Sequence, residues 1–215
     1  MIKLSKPSKM PCKSWSLQAI DTCPGSTDKK GELVPACAGC YATTGNYRFP
    51  NVKGVRVHNG TDWKRAAWVD DMIKAIGSGP HFRWLDSGDL YSLTLARKVY
   101  TVMLKTPDTA HWLPTRMYKF PKFKAILHDM ALLPNVVVRH SSDSITGELL
   151  PDTLNQSTIV ETLESAPIGS TPCKAYSQGG KCLECRSCWD KAVSVIAYPA
   201  HGKKIAKFYK SVGSK

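Results

Sequence analysis

Eight cysteines are the side chains with the most evident chemistry in the sequence, and seven of them fall into two groups. The first group comprises Cys23, Cys37 and Cys40, in the Gly- and Pro-rich segment CPGSTDKKGELVPACAGCYATTG, with Tyr41 directly after the last cysteine. Two thiols would suit a disulfide, and four thiolates would fill the ligand shell of a metal. Three thiolates leave one coordination position open. The pattern therefore predicts a metal centre with an open position.

Cys12 stands apart from both groups and has two interpretations. As a fourth ligand of the first group it would close the shell and make that site structural or electron-transferring. However, Cys12 follows Pro11 and precedes KSWSLQAI, a segment able to form its own element. We therefore favour three ligands, with Cys12 as a free buried thiol.

The second group has the spacing C-x8-C-x2-C-x2-C and consists of Cys173, Cys182, Cys185 and Cys188. Zinc ribbons and fingers usually pair two C-x2-C knuckles across a longer loop. An uninterrupted C-x2-C-x2-C run is more typical of iron–sulfur ligation in bacterial ferredoxins. We predict a [4Fe–4S] cluster here, with zinc as the alternative. A zinc site that joins Cys37 and Cys40 to cysteines of the second group also remains open.

The composition favours a protein of a reducing, aqueous compartment. No apolar run approaches the ~18 residues of a membrane span, and the N-terminal MIKLSKPSKMPCKSW lacks the apolar region of a signal peptide. We therefore predict a cytoplasmic protein without membrane partners. In that compartment, clustered cysteines more often bind metals or do chemistry than form disulfides.

The charge balance predicts an anionic partner. Thirty Lys and Arg against 17 Asp and Glu give a formal net charge of +13, which attracts nucleic acid and other anions. The basic residues are spread along the chain and form no single block. The charge therefore suits a nucleic-acid-binding protein and an enzyme with an anionic substrate equally.

Around these groups the sequence alternates helical and β-prone patterns after a turn-rich segment 1–60. Helices are predicted in TDWKRAAWVDDMIKAIGSG, with Thr61 or Asp62 as its cap, and in YSLTLARKVYTVMLKTP and FPKFKAILHDMALLP. Strands are predicted in HFRWLDSGDL, AHWLPTRMY, NVVVRHSSDS and STIVET, and AVSVIAYPAHG reads as a last strand or a short helix. This alternation indicates βαβ units and a mostly parallel sheet.

The predicted fold class is therefore α/β, with one domain over 1–215. It divides into an N-terminal cluster segment (1–60), a βα core (61–165) and a C-terminal cysteine segment (166–215). In such folds ligands bind at the carboxyl ends of the strands. The polar residues that we expect to converge there are Asp86, Ser87, Asp89, Arg116, Arg139, His140, Ser141 and Asp143.

The cysteine arrangement resembles the radical S-adenosylmethionine (SAM) superfamily, in which three loop cysteines hold a [4Fe–4S] cluster whose open iron binds SAM. More closely, SLQAIDTCPGS, CAGCYATTGNY, FRWLDSGDLYS and CKAYSQGGKCLECRSCWD resemble a family of small phage proteins of the gene-eighty-eight type, described as radical-SAM-like. This resemblance covers most of the chain. It implies a partial, open βα barrel of about five to six mostly parallel strands, in the cytoplasm of a bacterial host.

The resemblance also implies roles for individual residues. Cys23, Cys37 and Cys40 would hold the SAM-type cluster, although the superfamily spacing is C-x3-C-x2-C. Ser87, Gly88 and Asp89 would form the strand end that receives the SAM amino group. The residues expected to contact the rest of SAM or a substrate are Tyr41, Arg116, His140 and Ser142.

Three functional hypotheses follow. The first is a radical-SAM-like enzyme with one or two [4Fe–4S] clusters, an electron donor such as a flavodoxin or ferredoxin, and a nucleic acid or nucleotide as substrate. The second is a non-catalytic, metal-stabilised nucleic-acid-binding protein, whose affinity falls steeply with salt. The third is a two-cluster electron-transfer protein. The catalytic residues, the substrate and the reaction are not identified by the sequence.

Overall fold

The protein is described here from a computed structural model, which covers residues 1–212. It contains seven strands: β1 (Lys13–Trp15), β2 (His81–Trp84), β3 (Ala110–Thr115), β4 (Val136–Ser141), β5 (Gln156–Val160), β6 (Thr171–Pro172) and β7 (Val195–Pro199). They form one sheet in the order β1-β2-β3-β4-β5-β7-β6. Every pairing in this sheet is parallel.

Helices connect the strands and flank the sheet. They are α1 (Pro35–Ala38), α2 (Pro50–Asp62), α3 (Trp68–Ile76), α4 (Leu93–Leu104), α5 (Lys124–Leu132) and α6 (Lys203–Val212). Since β1 and β6 lie at opposite edges and do not pair with each other, the sheet stays open. The predicted α/β class and partial, open barrel are therefore confirmed.

The observed elements differ from the predicted ones at three places. The structure has seven strands where about five to six were expected, because β1 lies in the segment read as turn-rich and β6 is only two residues long. The predicted helix start at Thr61 or Asp62 is wrong, since α2 ends at Asp62 and α3 begins at Trp68. AVSVIAYPAHG contains the strand β7, and the helix α6, which begins after this segment, was not predicted.

One face of the sheet, here called the helical face, is covered by α3, α4 and α5. Its core is apolar and includes the fully buried Trp15 and Trp84 from the strands and Met72, Leu95 and Met103 from the helices. Trp15 packs edge-on against Trp84, with ring centroids 6.1 Å apart. This large apolar core anchors the sheet and leaves its other face available for a site.

The other face, here called the inner face, is much more polar. In parallel pairing, residues in register point to the same side, so Arg83 on β2 shares this face with Ser14 on β1 and Trp112 on β3. β2 thus alternates between the apolar Phe82 and Trp84 on the helical face and the charged Arg83 on the inner face. The side chains of the inner face therefore form the wall of an interior space.

Candidate functional site

A cavity of about 740 Å³ lies along the inner face and reaches the carboxyl ends of the strands. Its volume is in the range typical of small-molecule sites. Both cysteine groups contribute to its wall. The cysteines that line it are Cys23, Cys37, Cys40, Cys173, Cys182 and Cys188. The predicted residues that line it with them are Tyr41, Ser87, Gly88, Asp89, Arg116 and Ser142.

The first cysteine group sits in the loop after β1, held by short helical turns. Cys23 precedes a 3-10 turn that starts at Pro24, Cys37 lies within α1, and Cys40 follows it. The backbone N–H of Cys40 donates to the carbonyl of Cys37 at 3.0 Å. Burial raises the pKa of the Cys23 thiol to about 12 and raises that of Cys37. Metal binding would therefore displace protons from these thiols.

The strand-end segment after β2 is tightly packed. Gly88 has φ +78°, and a Cβ there would lie 2.5 Å from Cβ of Leu17 and 2.6 Å from Oγ1 of Thr22. The packing of Leu17 and Thr22 against this backbone therefore already requires a glycine at position 88. Ser87 donates from its hydroxyl to the carbonyl of Leu17 at 2.7 Å, which ties the segment to the chain after β1.

Asp89 is buried, with its carboxylate oriented by three donors. Its Oδ1 accepts from the hydroxyl of Thr115 (2.7 Å) and the N–H of Leu90 (2.8 Å), and its Oδ2 accepts from the N–H of Arg116 (2.8 Å). Burial raises the pKa of Asp89, and these hydrogen bonds oppose the shift. Oδ2 accepts one described hydrogen bond and so retains acceptor capacity for an amino group at the cavity wall.

Next to this segment, a buried ion pair joins α2 to the end of β2. Arg56 lies 3.2 Å from Oδ2 of Asp86, and both side chains are about 95% buried, with exposures of 6% and 5%. Arg56 also donates from Nε to the hydroxyl of Ser87 at 2.6 Å, while Tyr47 donates to Asp86 at 3.2 Å. Asp86 is therefore fully engaged, which leaves Asp89 as the carboxylate with spare capacity.

Arg116 lies beside the first cysteine group. Its Nη2 donates to the carbonyl of Ser142 at 2.7 Å, and its Nε lies 3.1 Å from the carboxylate of Asp143. Burial lowers the pKa of the guanidinium, the charges of Cys37 and Asp143 raise it, and the net shift is upward. Arg116 is thus a fixed cation at the cavity wall.

An aromatic wall connects the two cysteine groups. The ring of His201 stacks on Tyr41, with centroids 5.4 Å apart, and packs against Tyr176 at 4.3 Å. Tyr41 follows Cys40 and donates from its hydroxyl to the carbonyl of Asp86 at 2.7 Å. These rings offer a flat surface to a ligand in the cavity.

In the second cysteine group, Cys182 and Cys188 lie nearer the start of β2 and β3, whereas Cys173 directly follows β6. Cys182 and Cys188 pack against Trp189 and Trp112, and Trp189 donates from Nε1 to the carbonyl of Phe82 at 2.9 Å. The Cys188 sulfur lies 3.2 Å from the hydroxyl of Tyr198. This group therefore closes the end of the cavity that lies away from the first group.

Cys12 packs with the second group, against the same cluster as Cys182 and Cys188. Burial raises its pKa to about 11. This location removes Cys12 from the first group and agrees with the three-cysteine interpretation of that group.

The segment that carries Cys188 is attached to the sheet by Arg139. This side chain is fully buried, and its guanidinium donates to five backbone carbonyls, those of Gln156, Ser187, Asp190, Val193 and Ser194. Arg139, expected from sequence at a ligand site, thus has a structural role.

Four residues expected at the site lie outside the cavity wall, namely Arg139, His140, Asp143 and Cys185. His140 points to the helical face, where its ring stacks on Tyr118 with centroids 4.7 Å apart. Cys185 is exposed, and its sulfur lies 3.4 Å from the hydroxyl of Ser187. The prediction of roles for His140 and Cys185 remains untested.

The thiols are gathered in one cavity but are not yet assembled around a metal. Over residues 1–212, no three His, Cys, Asp or Glu side chains are placed to hold a metal ion. The donor set nevertheless suits an iron–sulfur cluster, because thiolates are its normal ligands. Binding would require the cysteine loops to draw together.

Sequence reasoning missed Arg83, which lines the cavity on β2. Its guanidinium lies 4.4 Å from the Trp112 ring centroid. The sequence does contain a signal, because Arg83 stands between Phe82 and Trp84 in HFRWL. Since strand residues alternate between the two faces of a sheet, Arg83 must lie on the face opposite to Phe82 and Trp84.

Fold and site together define an open, parallel α/β barrel with a cysteine-lined cavity. A family model described as Gene product 88 matches residues 2–191. The chain therefore belongs to the Gene product 88 family, and this membership supports the prediction of a bacteriophage protein. No curated protein and no solved structure matches the chain. Within the described residues, no helix is long and apolar enough to cross a membrane.

Proposed function

We propose that this protein is a radical-SAM-like iron–sulfur enzyme that acts in the cytoplasm of the bacterial host. The observation that supports the proposal is that both cysteine groups line one cavity, which reaches the carboxyl ends of the parallel strands. A bound [4Fe–4S] cluster supplies one-electron chemistry, which in radical-SAM enzymes is used to cleave SAM.

In this proposal the chain binds and orients the cofactors. Cys23, Cys37 and Cys40 hold the first cluster, and the second group holds another, with zinc as its alternative metal. Asp89 accepts a hydrogen bond from the SAM amino group through Oδ2. Arg116 provides the positive charge for the SAM carboxylate. The ring of Tyr41, which stacks on His201, would provide an aromatic surface for the adenine.

The partners follow from the same chemistry. The clusters require an electron donor, for which a flavodoxin or ferredoxin is suited. The net charge of +13 favours a nucleic acid or nucleotide as substrate. A reducing cytoplasm keeps the thiols available for metal.

The test is the metal content and the EPR spectrum of anaerobically purified protein. We expect about eight irons and eight sulfides per chain, the sum of two four-iron clusters, and a change in one EPR signal on addition of SAM. Zinc without sulfide would refute the proposal and leave a metal-stabilised nucleic-acid-binding protein. Iron and sulfide without a response to SAM would favour electron transfer.

Variants assign the signals to the two groups. The triple variant C23A/C37A/C40A should lose about half of the iron and the SAM-sensitive signal. The triple variant C182A/C185A/C188A should lose the other half and keep that signal. Cys12→Ser is the matched control, because Cys12 is buried among the same residues and has no assigned role as a ligand. It should retain all the iron.

A further inference from the structure

The inner face of the sheet carries a row of buried polar atoms without partners. Arg83 is in register with Ser14 on one side and Trp112 on the other. Among the described residues, Nε of Arg83, Oγ of Ser14 and Nε1 of Trp112 are all buried without a hydrogen-bond partner. A buried donor that stays unpaired is costly. Arg83 and Trp112 both line the cavity, so their two unpaired donors indicate a ligand with acceptor atoms.

The guanidinium of Arg83 is held in place but not neutralised. Its Nη1 donates to the Met10 sulfur, a weak acceptor, at 3.6 Å, and the Tyr41 hydroxyl lies close to the guanidinium. The Trp112 ring covers one face of it at 4.4 Å. The described ion pairs include none to Arg83, and nearby Asp86 is already paired with Arg56. A charge held by its neighbours without a counter-ion is suited to bind one.

The cavity as a whole favours anions. In the described part of the chain, the acidic side chains that line it are Asp86 and Asp89, while its cationic side chains are Lys6, Lys9, Arg56, Arg83 and Arg116. Lys9 is near Arg83, with its ammonium 3.9 Å from the centroid of the Tyr176 ring. A low-dielectric wall strengthens the attraction of such charges for an anion.

We infer that Arg83 is the receptor for an oxyanion, a phosphate or carboxylate group of a small organic ligand, bound between the two cysteine groups. The planar guanidinium offers paired donors that match either oxyanion. Trp112 supports the guanidinium. The inference names the ligand class of the site proposed above, but it does not rest on the presence of iron.

The test is isothermal titration calorimetry of the purified chain with its metal content recorded. Inorganic pyrophosphate and succinate are the two probes, which separate phosphate from carboxylate, each at ionic strength matched with sodium chloride. We expect saturable binding of at least one probe and no saturation with chloride alone. The absence of saturation with both probes would overturn the inference.

Variants locate the binding. Arg83→Met should weaken binding of the preferred probe roughly tenfold or more. Arg97→Met, an exposed arginine on α4, is the matched control and should bind as the wild type does. If Arg83→Met does not fold, Arg83→Lys provides the measurement. It keeps the charge but not the paired donors, so about a threefold loss is expected, and unchanged affinity would overturn the inference.

Iron and sulfide analysis of the same variants separates this inference from the proposed function. Loss of probe binding in Arg83→Met with unchanged iron supports an anion receptor. Loss of iron with unchanged probe binding would show that Arg83 balances the charge of a metal centre, and would overturn the inference. A wild-type chain that binds pyrophosphate but contains no iron would refute the iron–sulfur proposal and leave Arg83 in its assigned role.

Discussion

At the scale of single residues, Gly88 has little freedom to change because Leu17 and Thr22 press against its backbone. Gly88→Ala should lower the free energy of unfolding by about 2–3 kcal/mol, as the sum of left-handed strain and overpacking. Gly31→Ala is the control, since Gly31 has φ +82° and a Cβ at that position would meet no other atom within 4 Å. It should cost about 1 kcal/mol. If urea denaturation shows that the two variants lose equal free energy of unfolding, the packing explanation for Gly88 is wrong.

His111 on β3 is a second residue whose environment sets its chemistry. It is fully buried, and its Nδ1 accepts from Nε1 of Trp84 at 3.1 Å. Its Nε2 therefore carries the proton and donates to the hydroxyl of Thr106 at 2.8 Å, which donates onward to the carbonyl of Val102. Burial lowers the pKa of His111 to about 4.

This shift predicts a loss of stability in mild acid. Folded His111 stays neutral, while in the unfolded chain it gains a proton below its ordinary pKa of about 6.5. The contribution of His111 to the free energy of unfolding is complete above about pH 6.5 and should fall by ~3 kcal/mol towards pH 4. Urea midpoints across this range measure it. His111→Gln should flatten the slope, and His128→Gln, at an exposed position on α5, should leave it as in the wild type.

At the scale of elements, α2 shows why one helix escaped sequence analysis. Its segment PNVKGVRVHNGTD contains two glycines and no apolar stripe, and apolar periodicity is the main helical signal. The helix buries polar residues instead, namely Arg56, Asn59 and Asp62. Helices with apolar stripes, such as α4, were predicted from the sequence. A helix such as α2, which polar contacts with distant residues hold in place, has no local pattern that predicts it.

The attachment of α2 to the sheet is a testable prediction. Arg56→Met should destabilise the protein by about 3–5 kcal/mol, because it leaves Asp86 buried without its cation. Adding Asp86→Asn should recover part of the loss, with a coupling energy of roughly 1–3 kcal/mol in a double-mutant cycle. Arg48→Met, at an exposed position, should change stability by less than about 0.5 kcal/mol. If the effects of the two buried substitutions on the free energy of unfolding are strictly additive, the ion pair does not stabilise the protein.

At the scale of the whole molecule, the cysteine loops are the segments that metal binding should order. Lys29 and Lys30 are exposed between Cys23 and Cys37, and Lys181 is exposed just before Cys182. Reconstitution with iron and sulfide should slow tryptic cleavage at these lysines roughly tenfold or more. Cleavage after Lys105, exposed at the end of α4, should not change.

The two loops can be separated in the same assay. The triple variant C23A/C37A/C40A should lose protection at Lys29 and Lys30 only, because Lys181 belongs to the second group. Loss of protection at all three lysines would mean that the groups load as one unit.

Sequence patterns predicted the strand and helix alternation, and hence the location of the site at the carboxyl ends of the strands. They also identified the cysteines and the Ser87–Asp89 segment, since these residues have distinctive spacing or chemistry. They could not distinguish Arg139, whose guanidinium Nη atoms donate to backbone carbonyls, from Arg83, whose Nη1 donates to the sulfur of Met10. That difference depends on which residues pack nearby, and these come from distant parts of the chain.

The contact between α6 and α1 has a consequence for biosynthesis. A Cβ at Gly39 would lie 2.9 Å from Cβ of Ile205, so α6 seats directly against the loop that carries Cys37 and Cys40. The ribosome delivers this loop long before it delivers α6. A nascent chain would therefore expose Cys37 and Cys40 without this cover until α6 has been synthesised.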